Sequence, residues 1–133
     1  MDNSAFAVDS TFGIWFAIFV IGNFALVTLI FVAYDSILRL EYASYRITWE
    51  SDGQPLGFFW IAPEERRLVI SPFAHLKKQF ARNRLSPQWL FSTPEWMIND
   101  ARVLQLVSKY RRLTMIWTIF GGFPTLIILI ILF

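Results

Sequence analysis

The sequence predicts an all-α membrane protein. Two transmembrane helices form a hairpin around a cytoplasmic segment of amphipathic helices and an irregular, aromatic-rich loop. Three observations predict it. From Thr11 to Tyr34, and again from Leu113 to Phe133, there is no Asp, Glu, Lys, Arg or His. All 12 Lys and Arg lie between Arg39 and Arg112. The chain is 56% hydrophobic, above the roughly 45–50% usual for soluble domains. Each charge-free run exceeds the roughly 20 residues that cross a bilayer core as a helix. In lipid only a helix satisfies its own backbone N–H and C=O groups within one segment.

The expected organisation is a tail over 1–10, a first span over 11–34, a cytoplasmic segment over 35–112 and a second span over 113–133. Asp2 and Asp9 precede the first run with no basic residue, so it is not read as a cleavable signal peptide. Asp9, Ser10 and Thr11 offer N-cap oxygens to the first helix. Phe12 and Trp15 sit at one headgroup level and Tyr34 at the other. The helix is expected to continue to Tyr42, with Ile37, Leu38 and Tyr42 on one side and Arg39 snorkelling.

The middle segment carries 12 basic and eight acidic residues, a net of +4. Basic residues beside short spans resist translocation. That places the loop in the cytoplasm and both termini outside, in the periplasm if the membrane is a bacterial inner one. Thr48 to Pro63 reads as irregular, with Asp52-Gly53 and Gln54-Pro55 as turn dipeptides. Ser71-Pro72 is a helix start, followed by a helix from Phe73 to about Arg84. Phe73, Leu76 and Phe80 share a face there, and Lys77, Lys78, Arg82 and Arg84 are basic. This is either a helix on an anionic membrane surface or an ordinary amphipathic helix packed on its own protein. Ser86-Pro87 punctuates the chain next. Thr93 reads as an N-cap before Pro94, or Ser92 and Glu95 as a capping box. One long helix is then expected from Pro94 into the bilayer, with Lys109, Arg111 and Arg112 at the phosphate level.

Within the spans, Gly121 and Gly122 allow close helix approach, with Gly22 as the opposing surface, and Pro124 loosens the second helix. Asn23 bonds either to the second helix or to a partner subunit. No cysteine is present, which removes disulfides, thiolate nucleophiles and Cys-ligated metals. His75 is the one histidine and falls at the surface, so neither run offers a haem or chlorophyll ligand. Glu64-Glu65-Arg66-Arg67 reads as a self-neutralising run. No nucleophile triad, phosphate loop or dinucleotide fingerprint is present. No catalytic residue, cofactor, metal or nucleic-acid partner is therefore expected.

The aromatic residues carry the rest. Trp49, Phe58, Phe59 and Trp60 surround the turn dipeptides, and large rings in so short a segment must be buried somewhere. They are read as a docking element for a neighbouring subunit or the headgroup layer. The alternative is that they cover the chain's own pre-membrane helix near Trp96 and Val103.

The spacing Trp49-x3-Gly53-x-Pro55-x2-Phe58 is similar to that of small bacterial two-helix membrane proteins resembling universal stress protein B. Asp100 and Tyr110-Arg111-Arg112-Leu113 stand where their pre-membrane helix would be. The stretch from Ile61 to Trp89 departs from their shorter pattern. The resemblance implies a bacterial inner-membrane hairpin without catalysis. The expected function is that of an accessory subunit of a larger inner-membrane assembly, of the photosynthetic or respiratory kind. The partners are other membrane subunits and anionic lipid headgroups, with lipid, quinone or pigment against the spans. The alternative is a stress-related homo-oligomer.

Overall fold

The computed structural model describes residues 4–65, 72–125 and 130. Its elements among these are all helical: α1 (Ser4–Ser44), α2 (Arg46–Ser51), α3 (Pro72–Phe91), α4 (Glu95–Ile98) and α5 (Ala101–Trp117). A π-helical turn, Thr118–Gly122, follows α5 directly. Residues 66–71, which include Arg66, Arg67 and Ser71, lie outside the described set, as do the first three residues and most of the second charge-free run beyond Thr125.

α1 has 41 residues, about 60 Å at 1.5 Å each. Among the described residues one helix is long and apolar enough to cross a membrane, over Thr11–Ser44. Phe12, Trp15, Phe16, Ile21 and Phe24 project from it uncovered. The expected cap at Asp9 to Thr11 is not a helix start. No Gly or Pro stands between Ser4 and Thr11 to stop the chain, and α1 runs through.

Below the charge-free stretch α1 becomes buried. Tyr34, Ile37 and Leu38 join Trp49, Trp60, Leu85, Trp89, Met97, Val103, Val107 and Tyr110 in one core. α2 takes up part of the segment expected to be irregular, and it closes with a Schellman turn. Gln54 N–H donates to Trp49 O at 3.0 Å and Gly53 N–H to Glu50 O at 3.1 Å. Gly53 has φ +90°, the left-handed conformation that this turn needs and that glycine adopts without a Cβ penalty.

α3 continues through Pro87, where the sequence suggested a break. Pro87 and Asn83, whose carbonyl loses its donor, are both exposed residues. Leu85 and Trp89 hold the opposite face in the core. The single long helix expected from Pro94 is divided. Asp100 accepts from Arg102 N–H at 2.9 Å and caps α5. Neither Ser92 nor Thr93 caps α4. Ser92 Oγ donates to Gln88 O, and Thr93 Oγ1 accepts from Arg111.

α5 runs antiparallel to α1 in constant register. Tyr45 donates to Asp100 at 3.2 Å, the Tyr34 and Tyr110 rings lie 6.0 Å apart, and Asn23 lies against Gly121. The π turn sits just ahead of Pro124, which cannot donate to the helix. Phe123 N–H reaches back to Thr118 O, and the Thr125 hydroxyl takes Gly121 O at 2.6 Å. Asn23 donates within α1, to Phe19 O at 3.0 Å, rather than to α5. Its amide oxygen fills the space where a side chain on Gly121 would be. The two residues are thus complementary, and only a glycine fits. The other expected packing glycines are not used this way. Gly22 has nothing within 4 Å of a Cβ position, and Gly122 meets only the Trp117 ring and backbone of its own helix.

Gly121→Leu is expected to push α5 from α1 and lower stability by roughly 1–3 kcal/mol, the usual cost of overpacking. Gly22→Leu should be near neutral. Unfolding by sodium dodecyl sulfate in mixed micelles checks the pair, and equal effects would refute the Asn23–Gly121 contact.

Candidate functional site

Asp35 is the first charged residue after the first charge-free run. It is 3% exposed, and its carboxylate grips the aromatic loop. Oδ1 accepts from Phe58 N–H at 2.7 Å, and Oδ2 accepts from Phe59 N–H at 2.7 Å and Trp60 N–H at 2.8 Å. Three consecutive backbone donors around one anion form a nest. Gly57 N–H closes the turn on Trp60 O at 3.0 Å. A Cβ on Gly57 would lie 2.5 Å from Asp35 Oδ1 and 2.8 Å from Trp60 O, so the glycine is what lets the carboxylate in.

The clamp fixes where each ring points. Phe58 stacks on Phe31 with centroids 3.7 Å apart and planes 5° apart, and the Arg82 guanidinium lies 4.5 Å from its centroid. Trp60 packs edge-on against Tyr42, as does Trp49, the latter 1% exposed. Phe59 is 62% exposed and 6.1 Å from Phe31. The expected docking set therefore divides. Trp49 and Trp60 belong to the chain's own core, because Tyr42 and the α1–α2 junction already enclose them. Phe59 remains outward, level with Phe31 inside the charge-free stretch.

The basic residues divide in the same manner. Lys78 pairs with buried Glu65 and also donates to Gln54 Oε1 at 3.2 Å. Arg82 turns toward the loop, and Arg84 reaches Asp52 O at 3.4 Å. All three brace the loop, Lys78 and Arg82 from half-buried positions and Arg84 from an exposed one. Arg111 ties α5 to the end of α3, donating to Trp89 O at 2.8 Å, Ser92 O at 2.7 Å and Thr93 Oγ1 at 2.9 Å. Lys77 and Arg112 point outward as expected. So do Phe73, Leu76 and Phe80. α3 thus turns Lys78 and Arg82 toward the loop and its rings toward the surroundings. Arg66 and Arg67 lie outside the described residues, so of the run Glu64 to Arg67 only the two acids are seen. Glu64 takes two bonds from Arg46, at 2.9 and 2.7 Å, and one from the Tyr42 hydroxyl at 3.0 Å, which holds its carboxyl below the usual range.

Glu41 was not singled out by the sequence. It is 0% exposed, and among the described residues no donor reaches either carboxyl oxygen. Burial pushes it up to about 9, and the Asp52 carboxyl beside it adds to the shift. It is therefore neutral at pH 7. His75 is exposed, and no group of three or more metal-ligating side chains forms among the described residues. The arrangement fixes the backbone that carries Phe59. Compared with known proteins, the chain matches no family model, no curated sequence and no solved structure.

Asp35→Ala leaves three N–H groups, one buried and two partly buried, without an acceptor. Each bond to a charged acceptor is worth about 1.5–3 kcal/mol, so a loss of more than about 3 kcal/mol is expected. Amide hydrogen exchange at Phe58, Phe59 and Trp60 should rise by orders of magnitude while that of Val103 and Val107 changes less. Unchanged protection at the three amides would sink the clamp.

Glu41 has the opposite sign from a salt-bridged acid. Folded, it keeps a proton that the unfolded chain releases from about pH 4.5 upward, so stability falls as pH rises from there toward 9. At pH 7 this costs roughly 3 kcal/mol at 1.36 kcal/mol per pH unit. Glu41→Gln should raise stability at pH 7–8 and converge with the wild type near pH 4.5. Parallel stability curves for the two proteins across that window would show that Glu41 ionises freely.

Proposed function

We propose that the chain is a non-catalytic accessory subunit of a larger inner-membrane assembly. α1 crosses the bilayer through its charge-free part, and the second charge-free run returns beside it. The segment between them lies on the cytoplasmic side, where the basic residues confine it. The observation that carries the proposal is Phe59. An exposed ring is unremarkable on a mobile loop, but Phe59 stands in a loop whose backbone gives three hydrogen bonds to a buried carboxylate and whose neighbouring Phe58 stacks on Phe31. A large, pre-ordered aromatic at the membrane boundary is what a docking anchor requires, since little rotamer freedom is lost on binding. The outward rings of α3 support the same reading, because they leave a second face to be covered.

Affinity purification from native membranes in mild detergent tests the proposal. The wild type should elute with stoichiometric membrane partners. Phe59→Ser should insert and accumulate normally but lose them. Single cysteines at Ser4 and Ser51, labelled in intact cells with an impermeant maleimide, should react at Ser4 alone. Elution of this chain by itself, as monomer or self-oligomer, refutes the subunit reading, and labelling at Ser51 alone reverses the orientation.

A further inference from the structure

Lys109 and Arg112 stand one turn apart on α5, and Arg111 between them is turned inward. The ion pairs of the described residues use Arg46, Lys78, Arg84 and Arg102. Lys109 and Arg112 are exposed and take part in none of them. With Gln105 and Ser108 they line a shallow depression of about 700 Å³, bounded by Leu104 and Leu113. Every polar group there can donate a hydrogen bond, and two carry positive charge. That is the chemistry of a phosphate site.

What lies below decides which phosphate. Tyr110 packs against Tyr34, the last residue of the first charge-free run, and Leu113 begins the second. The two cations are therefore level with the membrane boundary. One turn further along, on the side of Arg112, Ile116 is exposed, followed by Ile119, Phe120 and Phe123. The helix face thus passes from two cations and two neutral donors to an uninterrupted apolar track. A free anion matches only the upper part. A phosphodiester with hydrocarbon chains attached matches both.

We infer that the α5 face around Lys109 and Arg112 is a binding site for an anionic phospholipid, its phosphate between the two cations and an acyl chain along Ile116 and Phe120. This rests on the membrane reading of the chain. It narrows general attraction to a negative surface to one helix face, and it excludes Lys78, Arg82, Arg84 and Arg111, which the fold already uses. A basic residue near an anionic surface is worth about 1 kcal/mol, or roughly fivefold, so two contribute at least about tenfold.

The test has two stages. Purified protein is mixed with phosphatidylcholine vesicles and floated. It is then titrated in neutral detergent with phosphatidylglycerol, phosphatidylcholine or inorganic phosphate and read by native mass spectrometry. The wild type should float and hold phosphatidylglycerol at least about tenfold more tightly than phosphatidylcholine. Lys109→Gln with Arg112→Gln should lose that preference and keep its helical circular dichroism. Arg39→Gln with Lys77→Gln, which removes the same charge elsewhere, should keep the preference. Failure to float overturns the membrane reading and this site with it. Flotation without lipid preference overturns the site alone. An equal loss in the control pair means diffuse charge, and displacement of the lipid by millimolar phosphate means a simple anion site; either result overturns the assignment.

Discussion

The contact between the Asp35 carboxylate and three successive backbone amides is the constraint on which the rest of the polar part depends. A buried carboxylate is tolerated only when fully hydrogen-bonded, and a run of buried N–H groups only when given an acceptor. Here each solves the other's problem. The acid sits on α1 at the edge of the apolar stretch, so the loop must come to that level to meet it. Once Gly57 to Trp60 is pinned there, Phe58 has Phe31 to stack on and Trp60 has Tyr42. Arg82 then finds both a ring and the Gly57 carbonyl within reach.

A second acid works differently. Glu41, two turns further along α1, has no such partners and lies beside Asp52. It survives in the interior by keeping its proton. One helix therefore carries two buried acids with opposite electrostatic roles. The difference comes from whether backbone donors face them. Around this pair the basic residues are drawn inward. Arg46 spans Glu50 and Glu64 while lying over the Tyr42 and Trp49 rings, and Lys78 meets Glu65.

The helical class, the long apolar helix and the Asp52-Gly53 turn were legible because each rests on local chemistry: absence of charge, backbone hydrogen bonding in lipid, and a left-handed glycine. The clamp was not. Nothing in the spacing of Asp35 and Gly57 marks a contact across more than 20 residues of chain. Asp35 being the first charge after the apolar run, and Gly57 standing before three aromatics, were the available hints. The orientation of α3 was equally hidden, since the same stripe of rings and bases suits either face. Pro87 misled because the core contacts of Leu85 and Trp89 hold α3 together across it, and such contacts are not local information. The division at Asn99 and Asp100 was missed because Asp100 competes with Thr93 and Ser92 as a cap, and Arg111 takes Thr93 out of the competition from 18 residues away.

Many membrane proteins are assembled from an anchor and a separable domain, and evolution moves such domains between anchors. The Phe31–Phe58 stack makes this chain a poor candidate for that traffic. Phe31 belongs to the apolar stretch, Phe58 to the polar part, and Ile30 and Tyr34 are shared in the same way. A cut between the two parts would open the interior of one and strip the end of the other. The apolar stretch and the polar part here share one hydrophobic core instead of meeting at its edge, so neither can be exchanged without the other.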